Sequence, residues 1–151
     1  MRKKFFIIFL FIFTTACGFT PLYNDNNKSD YNILITDQKG DQILNDLIIE
    51  EIKRISNSQS KDNLYLKIDT KYEKKIISKD TKGSASEYEL SVFSYFSISG
   101  IGSEQKFLLK EKQNLKNISD KFEQKNYENI IKKNFASSLA RKLKLEILKR
   151  K

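Results

Sequence analysis

The 151-residue chain has no histidine and no tryptophan, one cysteine, one proline and five glycines. Each scarcity excludes something. Without histidine, the commonest metal ligand and the commonest general base are both missing, and no nucleophile–histidine pair can be built. A lone cysteine rules out an intramolecular disulfide framework and any cysteine-rich zinc cage. Gly100 and Gly102 have no third glycine and no helix after them, so they read as a turn between strands rather than a phosphate cradle. No Gly-x-Ser-x-Gly elbow occurs, and no pair of carboxylates stands out as a catalytic couple. The chain is therefore expected to be non-catalytic, with no cofactor and no metal. What is present, 39% hydrophobic and 31% charged residues, suffices for one domain with a packed core.

Arg2, Lys3 and Lys4 precede an unbroken apolar run from Phe5 to Phe13, and Thr14-Thr15-Ala16-Cys17 follows. The run is far shorter than the ~20 residues of a membrane-spanning helix, so residues 1–16 read as a signal peptide. The cysteine directly after Ala16 resembles the lipobox of bacterial lipoproteins, although Thr14 stands where leucine is usual. On that resemblance Cys17 becomes the N-terminus of the mature chain and carries acyl chains, each buried CH₂ adding about 0.8 kcal/mol of membrane affinity. Gly18, in the position where aspartate would retain such a protein at the inner membrane, implies passage to the outer membrane. Residues 17–30, polar and containing the one proline, read as a lipidated tether, and residues 31–151 as a single domain.

Lysine plus arginine number 28 against 19 aspartate plus glutamate. Between Cys17 and Ser119 the two signs balance, whereas Asp120 to Lys151 holds 10 basic and 4 acidic residues. Such an excess invites a nucleic-acid reading, but export removes that substrate. Anionic headgroups, phosphorylated sugars or an acidic protein wall are the partners an exported basic helix would meet.

Tyr31 to Thr36 is β-branched and apolar enough for a strand, followed by turn chemistry from Asp37 to Gly40. Asp41 can cap a helix whose Leu44, Leu47, Ile48, Ile52 and Ile55 fall on one face. Period-two alternation then marks two strands, one through Leu64, Leu66, Ile68 and Tyr72, the other through Tyr88, Leu90, Val92, Phe96 and Ile98, with the reversal at Lys79 to Ser84. Gln105 to Leu109 continues the sheet, with a further strand up to Ile118. Tyr127, Ile130, Ile131, Phe135, Leu139, Leu143 and Ile147 fall on the apolar stripe of a long last helix, with Asp120 and Glu123 at its positive end and Arg141, Lys142, Lys144, Lys149, Arg150 and Lys151 at its negative end. The order β-α-β-β-β-α predicts an α+β two-layer sandwich. Its mostly antiparallel sheet of four to five strands carries two helices on one face. Phe93 and Tyr95 fall on the other face, as cross-strand packing or as a contact surface.

The string Cys17-Gly18-Phe19-Thr20-Pro21-Leu22-Tyr23, with the element order and the pattern from Ser119-Asp120 through Ser138-Leu139-Ala140-Arg141-Lys142-Leu143, resembles the lipopolysaccharide-assembly lipoproteins of the LptE family, in their alphaproteobacterial form. The resemblance implies a two-layer fold, an LptD-like outer-membrane β-barrel that the protein plugs and assembles, and contact with lipopolysaccharide on the periplasmic side of the outer membrane. A non-catalytic lipoprotein of another envelope transport or assembly machine would share every feature except that string. Lipopolysaccharide phosphates would need convergent cations. The hairpin lysines Lys75, Lys79 and Lys82 are the candidates, because turn lysines project from a rigid sheet, whereas the basic end of the last helix is accounted for by its dipole. Against this, Glu87 and Glu89 could neutralise Lys71 and Lys75 across the strand pair.

Overall fold

The computed structural model describes residues 28–100 and 102–149. The signal peptide, Cys17, the Cys17 to Tyr23 string and the basic residues Arg150 and Lys151 lie outside the described residues. Six elements follow in the expected order: β1 (Asn32–Gly40), α1 (Gln42–Ile55), β2 (Asn63–Lys79), β3 (Ala85–Ser99), β4 (Gln105–Lys116) and α2 (Lys121–Leu148). The strands form one mixed sheet in the order β1-β2-β3-β4. β1 and β2 are parallel, as a helical crossover between them requires, and the other two pairs are antiparallel. Both helices cover one face, giving the two-layer α+β sandwich read from the pattern.

Period-two alternation does place the core. Leu64, Leu66 and Ile68 of β2 and Leu90, Val92, Phe96 and Ile98 of β3 are buried against Leu44, Ile48 and Ile52 of α1 and Leu139, Leu143 and Ile147 of α2. Thr70 and Ser94 are the polar members of that inner face, and their hydroxyls bond each other at 3.0 Å, so neither is left unsatisfied. Among the described residues the buried hydrophobic side chains run from Tyr31 to Ile147. Asp41 caps α1 by accepting the Leu44 N–H, and Asp120 caps α2 by accepting from Phe122 and Glu123.

The structure corrects the expectations in four places. The turn expected at Asp37 to Gly40 is strand: β1 absorbs a bulge at Thr36 and runs on to Gly40, whose positive φ of 84° makes the sharp exit into α1. The region after the Gly100–Gly102 turn is a single strand through Lys116, so the sheet has four strands. In α2 the buried stripe begins only at Ile131. Tyr127 and Ile130 point outward, because Gln124 and Glu128 take the sheet-facing positions of that half of the helix. Lastly, Lys142 does not serve the helix dipole. Its Nζ sits 2.8 Å from Glu111 and donates to the Lys110 carbonyl of β4 at 3.2 Å, covering part of that open sheet edge.

Candidate functional site

β2 has 17 residues, but β1 pairs with it only as far as Thr70. Beyond that point the sheet continues on β2, β3 and β4 as an arm until Glu87 meets Lys116, and only the Lys79–Ala85 rung and the turn stand past β4. The arm's turn is locked by Asp80, which accepts the backbone N–H of Lys82 and of Ser84, each at 2.9 Å. Two register shifts, between Ile76 and Ser78 and between Ser78 and Lys79, bulge the end of β2 and leave both Ile76 and Ile77 exposed.

The three candidate lysines occupy this arm without forming one cluster. Lys79 closes β2 opposite Ala85 and Lys82 sits in the turn, both exposed and without an ion pair among the described residues. Lys75 is on the outer face, with its Nζ 3.1 Å from Glu73. Glu73 holds Lys71 as well, at 2.8 Å, and hydrogen bonds first from Lys71 and then from Lys75 keep its carboxyl below the usual range. The neutralising partner of Lys71 and Lys75 is thus on their own strand. Glu89 lies opposite Lys75 as expected and feels its charge, but it forms its ion pair with Lys112 of β4 at 3.0 Å, and the hydrogen bond from Lys112 is the main cause of its lowered pKa.

On the inner face of the arm, beside Leu90 and Val92 of the core, a polar cluster fastens the first half of α2. Tyr72 donates its hydroxyl to Glu128 Oε1 at 2.7 Å, and Lys74 reaches Glu128 Oε2 at 2.7 Å while lying 4.6 Å from the centre of the Tyr88 ring. Lys132 stacks 4.3 Å over the Tyr72 ring. Burial by itself would raise the Glu128 pKa, but the hydrogen bonds from Lys74 and Tyr72 and the charges of Lys74 and Lys132 outweigh it and hold the group ionised below its ordinary value. Tyr72 is pushed upward by burial and by the bond to Glu128, so its proton stays in place.

The uncovered sheet face carries a shallow trough of about 590 Å³ beside Tyr95 and Leu108, both exposed, with Lys39, Lys67 and Lys106 around it. Register explains the assembly: Lys67, Ser97 and Lys106 share one rung, and Asp69, Tyr95 and Leu108 the next. Tyr95 is thus on the outer face, as expected from the alternation, and Phe93 beside it is half-buried. Sequence reasoning missed the apolar side chains of the arm, Ile76 and Ile77. Two consecutive isoleucines break the alternation of β2, and that break was the available signal. Among the described residues no group of three or more metal-ligating side chains gathers, and no helix is long and apolar enough to cross a membrane.

No family model matches the chain, and no curated protein matches it by sequence. Solved structures share its architecture. Rare lipoprotein B from Shewanella oneidensis is 17% identical with a TM-score of 0.60, over 78% of this chain and 95% of that one. A candidate lipoprotein from Caulobacter crescentus is 11% identical with a TM-score of 0.52, over 78% and 86% of the two chains. At these identities the likeness concerns the fold alone.

Proposed function

We propose that this chain is an outer-membrane lipoprotein of lipopolysaccharide transport, anchored through acyl chains on Cys17 and facing the periplasm. In this reading it plugs and assembles an LptD-like β-barrel and helps insert lipopolysaccharide into the outer leaflet, as a non-catalytic subunit. The observation that carries the reading is a conjunction. A lipobox-like cysteine heads the Cys17 to Tyr23 string, and behind it folds the two-layer sheet shared with rare lipoprotein B, a member of the LptE family. Neither half carries it alone. Many lipoproteins have the cysteine, and many small domains have two helices on a four-stranded sheet. Lys79 and Lys82, with no carboxylate partner among the described residues, remain the lysines best placed to meet lipopolysaccharide phosphates, and Lys75 contributes only after leaving Glu73.

The test is affinity purification of the tagged lipoprotein from its own envelope. A large outer-membrane β-barrel should come with it, and Cys17→Ala should abolish incorporation of labelled fatty acid. Recovery of an inner-membrane transporter, with no barrel, would instead assign the chain to another envelope machine.

A further inference from the structure

The end of the molecule that carries the β2–β3 turn gathers more than the hairpin lysines. The Asn117 N–H donates to Ser86 at 2.9 Å and its side chain to Ala85 at 2.7 Å, tying the start of α2 to the base of the turn. Two stretches distant in sequence, the β2–β3 turn and the junction of β4 with α2, thereby share one pole. They bring Lys79, Lys82, Lys116, Lys121 and Lys125, none with an ion pair among the described residues, together with Ile76, Ile77 and Phe122. Phe122 is 75% exposed, more than any other large hydrophobic residue described. The acidic groups here are Asp80 and Asp120, turned onto backbone N–H groups as turn lock and helix cap, and Glu87 and Glu123, four carboxylates against five lysines.

We infer that this pole docks on an anionic phospholipid surface, with the lysines at headgroup phosphates and Ile76, Ile77 and Phe122 dipping beneath them. A purely solvated lysine tip has no use for three exposed apolar side chains, and a protein socket calls for a shape that fits it. Here the apolar groups stand exposed among flexible lysine stems at one end of the molecule, an arrangement that suits a fluid surface able to conform to it. The inference rests on the residues of the pole and does not depend on a barrel or on lipopolysaccharide.

The absence of tryptophan supplies the assay. In the chain from residue 17 onward bearing Cys17→Ser, single substitutions Ile77→Trp and Phe122→Trp place a probe at the pole, and Ile43→Trp places one on exposed α1, away from it. With phosphatidylcholine vesicles containing phosphatidylglycerol, emission at positions 77 and 122 should shift to the blue and be quenched by brominated acyl chains, while position 43 stays solvent-like. Pure phosphatidylcholine should give far weaker binding. Adding Lys79→Gln and Lys82→Gln should weaken vesicle binding by roughly five-fold per lysine, an effect that shrinks as salt rises. Solvent-like emission at both pole positions overturns the inference and leaves a protein partner as the occupant. Equal shifts at all three positions overturn it too, by showing adsorption without a preferred face. The vesicles contain no lipopolysaccharide, so failure here leaves the transport reading standing, and failure of barrel purification leaves this result standing.

Discussion

Replacing Tyr72 by phenylalanine should loosen one half of α2 and leave the other untouched. The substitution keeps the ring on which Lys132 stacks at 4.3 Å and removes only the hydroxyl that Glu128 accepts at 2.7 Å. A hydrogen bond to a charged acceptor is worth ~1.5–3 kcal/mol, and the partial exposure of Glu128 places this one at the low end, about a ten-fold change in an opening equilibrium. From Lys121 to Ile130 every side chain is exposed except Gln124 and Glu128, so the cluster is the main tie in that stretch. Phe135, Ala136, Leu139, Ala140, Leu143 and Ile147 hold the rest of the helix in the core. Amide hydrogen exchange followed by NMR reads the two halves separately. Protection at residues 125–131 should fall roughly ten-fold, while residues 136–147 keep theirs. An equal fall in both halves would show that α2 opens as one unit, and no change in the first half would show that the bond contributes nothing; either result refutes the reasoning.

The same cluster sets a pH response. Because the folded state depresses the Glu128 pKa below 4.5, its stabilisation is complete above that pH and is lost as pH falls through the depressed value. Protection at residues 125–131 should therefore drop in acid, and Glu128→Gln should start lower and stay flat across that window. Leu139→Ala, at a fully buried position, should cost ~2–5 kcal/mol in urea unfolding, whereas Ile130→Ala, 53% exposed on the same helix, should stay within about 0.5 kcal/mol. Gly40→Ala should destabilise by at least about 2 kcal/mol in the same assay, since the added Cβ would lie 2.0 Å from the Thr70 carbonyl oxygen with the backbone held at a positive φ.

The sheet was legible because its signal is local. Alternation at Leu64, Leu66 and Ile68 and at Leu90, Val92, Phe96 and Ile98 names the buried face with no knowledge of partners, and Asp41 and Asp120 announce the two helix starts by side-chain chemistry alone. The errors fall where the outcome depends on what lies opposite. Ser91 alternates like a solvated residue yet is only 3% exposed, because on the central strand β3 it lies between Glu73 and Lys112, whose long side chains cover it. Tyr127 and Ile130 continue the spacing of the α2 stripe, but the positions that face the sheet in that half of the helix are Gln124 and Glu128.

The candidate site was less legible than the fold for a related reason: it is assembled from segments that meet only at one end of the sheet. The lysines of the hairpin could be picked out as a run, and the run proved heterogeneous once Glu73 took Lys75 and Glu128 took Lys74. What distinguishes Lys79 and Lys82 is the company that β4 and α2 bring to them. Lys116 ends β4, Lys121 and Phe122 begin α2, and Asn117 ties the junction between them to the turn. In sequence these residues read as the edges of two separate elements, and the long helix reads as having one apolar side. In space α2 has two: the stripe from Ile131 onward faces the core, while Phe122, Tyr127, Ile130, Leu145 and Leu148 face outward. A helix apolar on one side is explained by the core it covers. Here the core accounts for the inner stripe alone, and Phe122 at the basic pole is the outward residue whose setting names an occupant.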